Sequence, residues 1–369
     1  MSARRRALKV AGVTVGVAAG LAGAGYAAQR AVRRGLSNRP DPDAELLLPL
    51  LNGDALVKAG TSERAGVSER RLPSHDGGSI YVLETGPALP GEVGRPIVLS
   101  HGVTIDSRIW VKQLAALPKL GFRVVAFDTR GHGSSLSGET GHSVENLAFD
   151  LRTVLEALDL HDAILVGHSM GGVAVQAFAS RFPAIARSRV AGIVLLSSLS
   201  KTHLSTTRRL RCAVQGMSDR LELGKVMASP SLGTMLARLG FGRDPLASHV
   251  ELVRQMLADC DADTSREAVA CLLDMDLTPS LPDIDLPTLV IGGTADVLTP
   301  PMESRRIARL IPGARLVMIE GAGHTIMLER AEELEALLVE FSHEVRPDSL
   351  SEESSGEEPD RAGADAAAG

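Results

Sequence analysis

A serine, an aspartate and a histidine occur along this 369-residue chain in an order and setting that suit nucleophilic catalysis. Gly167-His168-Ser169-Met170-Gly171 follows the apolar run Ala163-Ile164-Leu165-Val166 and precedes Gly172-Val173-Ala174-Val175-Gln176-Ala177-Phe178. That pattern puts Ser169 where a short buried strand turns sharply into a helix. The neighbours of a nucleophile in such an elbow must be small, or they would collide with the packed strand and helix, and Gly167, Gly171 and Gly172 meet the requirement. The hydroxyl then projects above the sheet. The helix N-terminus favours developing negative charge, and the amide of Met170 can donate to an oxyanion.

A serine alcohol is a weak nucleophile alone, so the chemistry demands a base and a group that orients the base. Both follow in order. Pro287-Thr288-Leu289-Val290-Ile291 reads as a buried strand and runs into Gly292-Gly293-Thr294-Ala295-Asp296, which sets Asp296 in a loop at that strand's C-terminal edge. Ala314-Arg315-Leu316-Val317-Met318-Ile319 reads as the next strand and leads through Glu320-Gly321-Ala322-Gly323 to His324 on the same edge, before a helical pattern from Ile326 to Phe341.

Two further strand ends carry motifs of this kind: Ile97-Val98-Leu99-Ser100-His101-Gly102-Val103 and Phe127-Asp128-Thr129-Arg130-Gly131-His132-Gly133-Ser134-Ser135. With these motifs the chain resembles the α/β-hydrolase superfamily, in the branch with a Gly-His-Ser-Met-Gly-Gly elbow, over about residues 70–342. The resemblance implies Ser169 as nucleophile, His324 as general base and then acid, and Asp296 as the group holding the imidazole in its useful tautomer. It also implies an oxyanion hole built from the backbone amides of Val103 and Met170.

The other polar residues of these motifs read as framework. A triad needs one base, so His101, His132, His142 and His168 are expected to be structural or solvent-facing. Asp128 matches the superfamily's loop-stabilising aspartate, and Asp274, Asp276, Asp283 and Asp285 come before the seventh strand, on the wrong edge. Serine at position 169, where an aspartate would form alkyl-enzyme esters, points to acyl transfer. No His-Glu-x-x-His, Cys-x-x-Cys pair or G-x-x-x-x-G-K is present, and no metal or organic cofactor is expected.

The elements that must position these residues alternate. Strand-like runs at 80–83, 97–100, 123–127, 163–166, 190–196, 287–291 and 314–319 are separated by helical stretches, as in an α/β-hydrolase fold with a mostly parallel central sheet and helices on both faces. A Leu- and Met-rich helical stretch without a clear strand, 200–285, interrupts the rhythm and reads as a helical cap inserted after the sixth strand. Met217, Met227, Met235, Met256 and Met275 read either as an adaptable lining over the site or as ordinary helix core. Cys212, Cys260 and Cys271 all fall there; an odd count without regular spacing reads as buried thiols, with a Cys260–Cys271 bridge the open alternative in an exported domain.

The termini differ from the middle. Arg4-Arg5-Arg6-Ala7-Leu8-Lys9 leads into the uncharged residues 10–29, followed by Arg30, Arg33 and Arg34. This segment reads as a retained membrane anchor or an export signal of twin-arginine type, with a cytoplasmic location as the alternative. Residues 10–29 are thus the candidate for membrane association. The expected organisation is a signal or anchor segment at 1–36, a linker at 37–66, the core at 67–199 and 286–343, the cap at 200–285, and a disordered acidic tail at 344–369. A net charge of -6 makes no case for nucleic-acid binding.

The expected activity is therefore that of a serine hydrolase of carboxylesterase or lipase type. It would cleave an apolar small-molecule ester through an acyl-enzyme. The alternatives are hydrolysis of a thioester, lactone or carbon–carbon bond, a cofactor-free perhydrolase or haloperoxidase, or a non-catalytic binding protein on the same fold. Oligomeric state is left open by the sequence.

Overall fold

The structure, a computed structural model, describes residues 35–36, 39–52, 67–86, 94–202 and 223–345. Its centre is an eight-stranded sheet: β1 Ser68–Pro73, β2 Ser79–Thr85, β3 Pro96–Ser100, β4 Arg123–Phe127, β5 Ala163–His168, β6 Val190–Leu196, β7 Thr288–Gly293 and β8 Arg315–Ile319. The strand order is β1-β2-β4-β3-β5-β6-β7-β8. β2 runs antiparallel to β1 and β4, and every pairing from β4 to β8 is parallel.

Parallel strands need crossovers, and the helices that supply them cover both faces of the sheet. The alternation within single strands shows the result. Ile97 and Leu99 of β3, with Ile164 and Val166 of β5, enter one core. Val98 and Leu165, the residues between, enter the other. At about 25 cal/mol per Å² of apolar surface removed from water, this two-sided burial is the main stabilising contribution, and it holds the C-terminal ends of β3 to β8 along one edge.

Each of the seven expected strands is present with its ends within one residue of those expected, except that β2, β5 and β7 each run two residues further at the C-terminal end. β1 is additional. Ser-Glu-Arg-Arg-Leu-Pro is an edge strand with Leu72 its one buried residue, so it carries no hydrophobic alternation to read. The helix Ala44–Leu51 lies inside the span read as a linker. Pro49 interrupts its sequence pattern, yet Leu47 and Leu50 are fully buried and the helix packs on another, Ala247–Asp259.

Between β6 and β7 the described residues form the helices Leu223–Ala228, Leu232–Ala237, Ala247–Asp259 and Ala262–Asp274. Met227, Met256 and Met275 are buried there, while Met217 and Cys212 lie outside the described residues. Cys260 and Cys271 are free thiols, both pushed up to about 12 by burial, so neither is a ready nucleophile. The segment 10–29 and the tail from 346 onward also lie outside the described residues. Among the described residues no helix is long and apolar enough to cross a membrane.

Candidate active site

Ser169 follows β5 directly and precedes the helix Met170–Arg181. Its φ of 52° and ψ of −113° lie in a region that side chains other than glycine rarely adopt. Both sides of the turn hold it there. The Ser169 amide donates to the Leu196 carbonyl at 3.0 Å, and its carbonyl accepts the Ser198 hydroxyl at 3.0 Å and the Val173 amide at 3.2 Å. The glycines are required by contact: a Cβ on Gly171 would run into the Ser100 carbonyl, and one on Gly172 into the Ser198 side chain.

Asp296 lies just beyond β7 and His324 just beyond β8, and the two side chains meet: Asp296 Oδ2 is 2.9 Å from His324 Nδ1. Both are buried. The other carboxylate oxygen accepts the amides of Leu298 and Thr299 at 2.8 and 2.9 Å. Burial alone would raise this carboxyl, but the imidazole and the donors from Thr299 outweigh it and hold Asp296 below the usual carboxylate range.

Sequence reasoning passed over Thr299 and Glu329. The Thr299 hydroxyl donates to Asp296 Oδ2 at 2.7 Å, lies 2.9 Å from the Ser197 carbonyl and 3.1 Å from His324 Nδ1, and so ties the dyad to the end of β6. Glu329 accepts the amides of Gly242 and Gly323, at 2.7 and 3.1 Å, and the Thr325 hydroxyl at 3.1 Å. The His324 amide donates to the Gly240 carbonyl at 2.8 Å. The histidine loop is thereby fastened to the chain that follows the helix Leu232–Ala237. An aspartate followed by threonine three residues later is a local turn signal for Thr299; nothing in the sequence marks Glu329.

Ser169 and His324 share the wall of a cavity of about 140 Å³. Val103, Ile105, Leu236, Ala237, Val253, Leu257 and Leu298 supply its apolar lining, so helices between β6 and β7 roof it with leucine, valine and alanine. None of the four described methionines of that stretch lines this cavity, so of the two readings the structure gives them no part in its lining; Met256 faces a different cavity from its own helix. Among the described residues no hydrogen bond joins the Ser169 hydroxyl to His324, a separation that commonly closes only around bound substrate.

The two amides expected at the oxyanion hole are those of Val103 and Met170. Val103 lines the cavity, and Met170 is the first residue of the helix behind Ser169, where an amide has no partner within its helix. Among the described residues neither amide donates to a protein acceptor outside a helix.

The remaining motif residues are framework, and none of the four histidine side chains faces solvent. Asp128 accepts the amides of Ser107 and Ser134, each at 2.8 Å, braces its loop and lines a different cavity from that of His324. His168 is fully buried, donates from Nε2 to the His324 carbonyl at 3.0 Å, and sets its ring 4.6 Å from that of His324. Burial, and then the neighbouring His324, push its pKa well below the usual histidine value. Among the described residues no group of three or more His, Cys, Asp or Glu side chains is arranged to hold a metal ion.

A mostly parallel sheet covered on both faces, a strained serine elbow after β5 and an Asp–His pair from the loops after β7 and β8 define an α/β hydrolase. A family model described as the alpha/beta hydrolase fold matches residues 95–331, and the chain belongs to that family. It is 31% identical over 288 residues to the non-heme chloroperoxidase of Streptomyces lividans, spanning 73% of this chain and 98% of that protein. The enol-lactonase from Burkholderia xenovorans LB400 matches with a TM-score of 0.64 at 25% identity, covering 74% of this chain and 99% of that one. The esterase EaEST from Exiguobacterium antarcticum, at 24% identity, shares the fold with a TM-score of 0.65 and covers 75% and 100%.

Proposed function

We propose that this protein is a serine hydrolase that cleaves small, neutral carboxylic esters through an acyl-enzyme. The observation that carries the reading is that His324, held by Asp296, shares the wall of one apolar cavity with Ser169. In the first half-reaction the Ser169 hydroxyl adds to the ester carbonyl as its proton passes to His324 Nε2. Asp296 stabilises the resulting imidazolium, and the amides of Val103 and Met170 receive the oxyanion. Collapse expels the alcohol, which takes the proton from His324. Water then adds to the acyl-enzyme by the same route and releases the acid.

Size and polarity favour a modest substrate. A cavity of about 140 Å³ matches the volume in which an engineered apolar cavity accommodates benzene, and among the described lining residues none apart from the histidines is charged or titratable. The helices between β6 and β7 act in this reading as the cap that sets the size limit. A second reading is favoured by relatives named chloroperoxidase and enol-lactonase. The same acyl-enzyme, met by hydrogen peroxide in place of water, would yield a peracid and free Ser169, and a lactone would open by the same attack.

The test is fluorophosphonate labelling of the wild type beside Ser169→Ala and His324→Ala, with turnover of nitrophenyl esters of increasing chain length. Labelling and turnover that vanish with Ser169 are expected. Labelling that survives Ser169→Ala overturns the nucleophile, and a wild type that neither labels nor turns over favours a non-catalytic binding protein. Anchoring or export through residues 10–29 is a separate proposal, and recovery of all the protein in the cytoplasmic fraction would refute it.

A further inference from the structure

We propose that His101 and His132 form a reciprocal clasp that positions the Val103 amide toward the oxyanion. Both are then positioning residues for the reaction proposed above, on which this inference rests. The loop after β3 and the loop after β4 each lend an imidazole to the other. From the first loop, His101 Nε2 accepts the Thr129 amide at 2.9 Å. From the second, His132 Nε2 accepts the Thr104 amide at 3.1 Å. The two rings lie edge to face with centroids 5.4 Å apart, and both are essentially without solvent exposure.

An amide can only donate, so both Nε2 atoms must be bare and both rings must carry their proton on Nδ1. Each Nδ1 has an acceptor to match: the Gly102 carbonyl lies 2.7 Å from His101 Nδ1, and the Arg130 carbonyl 2.9 Å from His132 Nδ1. The Thr129 hydroxyl lies within 3.3 Å of His101 Nε2 and 3.2 Å of His132 Nδ1, between the rings. Burial, with His101 beside it, lowers the pKa of His132 to about 3, so its ring stays neutral near neutral pH.

The clasp acts on the residues either side of Val103. The carbonyl before it, that of Gly102, is held by His101, and the amide after it, that of Thr104, is held by His132. Thr104 has a φ of 60°, which a β-branched residue rarely adopts without something to hold it. A hydrocarbon of the same shape would fill the space of His132 but leave the Thr104 amide without its acceptor. Its nitrogen therefore does more than pack: it fixes the Val103–Thr104 peptide, next to the Gly102–Val103 peptide that carries the Val103 N–H and whose carbonyl His101 holds.

The test compares His132→Phe, which keeps a ring and loses the acceptor, with His132→Gln, whose amide oxygen can accept. Active sites are titrated with a fluorophosphonate, and kcat per titrated site and KM are measured with nitrophenyl acetate. His132→Phe is expected to lower kcat per site about 10- to 100-fold, less than the roughly 100- to 1,000-fold that follows outright loss of one oxyanion donor, with KM within about twofold, and His132→Gln to recover part of it. Wild-type kcat per titrated site in His132→Phe, or activity lost only in proportion to titrated sites, overturns the clasp. Should the variants not fold, ¹⁵N-histidine spectra of the wild-type protein decide. The proton on Nδ1 of both rings is expected, with His132 neutral from pH 5 to 8, and an Nε2–H tautomer in either overturns it. Failure of the parent reading looks different: the wild type itself then shows no turnover, or Ser169→Ala retains it.

Discussion

Asp296 Oδ2 stands 2.9 Å from His324 Nδ1, and the same oxygen accepts the Thr299 hydroxyl at 2.7 Å. The carboxylate that orients the imidazole is thus itself oriented, by a side chain that also reaches the end of β6. Asp296→Asn keeps the shape and removes the charge, which allows the wrong imidazole tautomer. We expect kcat for a nitrophenyl ester to fall by about 10,000-fold with the melting temperature changed by only a few degrees. A kcat within tenfold of wild type would remove Asp296 from the proposed role.

Ser169, Asp296 and His324 were legible in the sequence because each follows an apolar run that had to be a buried strand, and parallel strands bring their C-terminal ends to one edge. Thr299 was half legible, since it sits three residues from Asp296 in a turn of its own making. Glu329 was not: its partners at Gly242 lie 87 residues away, and only the packing of the chain after Leu232–Ala237 against the histidine loop brings them together. His101 and His132 could be assigned to the framework, but their exchange of amides across two loops depends on the pairing of β3 with β4. The helix Ala44–Leu51 escaped notice because its stability comes from Leu47 and Leu50 packing elsewhere, and not from its own propensity.

Acid should destabilise the fold through two of its buried histidines. His132 and His168 are buried and neutral with lowered folded-state pKa values, whereas in the unfolded chain they titrate near 6.5. Below that pH the unfolded state binds the extra protons, so stability falls as pH drops from about 6.5 toward 3. The loss at pH 5.5 is on the order of 1 kcal/mol for each histidine. Asp296, with its lowered pKa, adds a further loss only below about 3.8. Urea melts at pH 7.5 and 5.5 check this, and equal stability at the two values would contradict it.

Asp43 joins the helix Ala44–Leu51 region to both other parts of the structure: its carboxylate lies 2.6 Å from Lys112 Nζ and 2.7 Å from His249 Nε2. Burial raises its pKa, but these two partners outweigh burial and leave it lowered. Asp43→Asn should cost roughly 1–3 kcal/mol in urea melts. His249 shares its helix with Val253 and Leu257, which line the Ser169 cavity, so KM should rise severalfold while kcat holds. An unchanged melt would show the bridge to be a surface pair of no consequence.

The helix Ala247–Asp259 offers a controlled test of substrate size, because adjacent residues on it face different cavities. Leu257 and Val253 line the cavity of Ser169 and His324, whereas Met256 lines a separate one of about 390 Å³. Leu257→Ala removes three carbons from the roof of the cavity that Ser169 and His324 share, and each methylene accommodated in such a pocket is worth about 1–3 kcal/mol of discrimination. The preferred acyl chain should therefore lengthen by about two or three carbons. Met256→Ala truncates a fully buried side chain and should cost about 2–5 kcal/mol of stability while leaving the chain-length profile of kcat/KM where it was. The pair separates shape from stability: a profile that shifts equally in both variants would mean that loosening of the helix, and not the wall contributed by Leu257, sets the limit on what reaches Ser169.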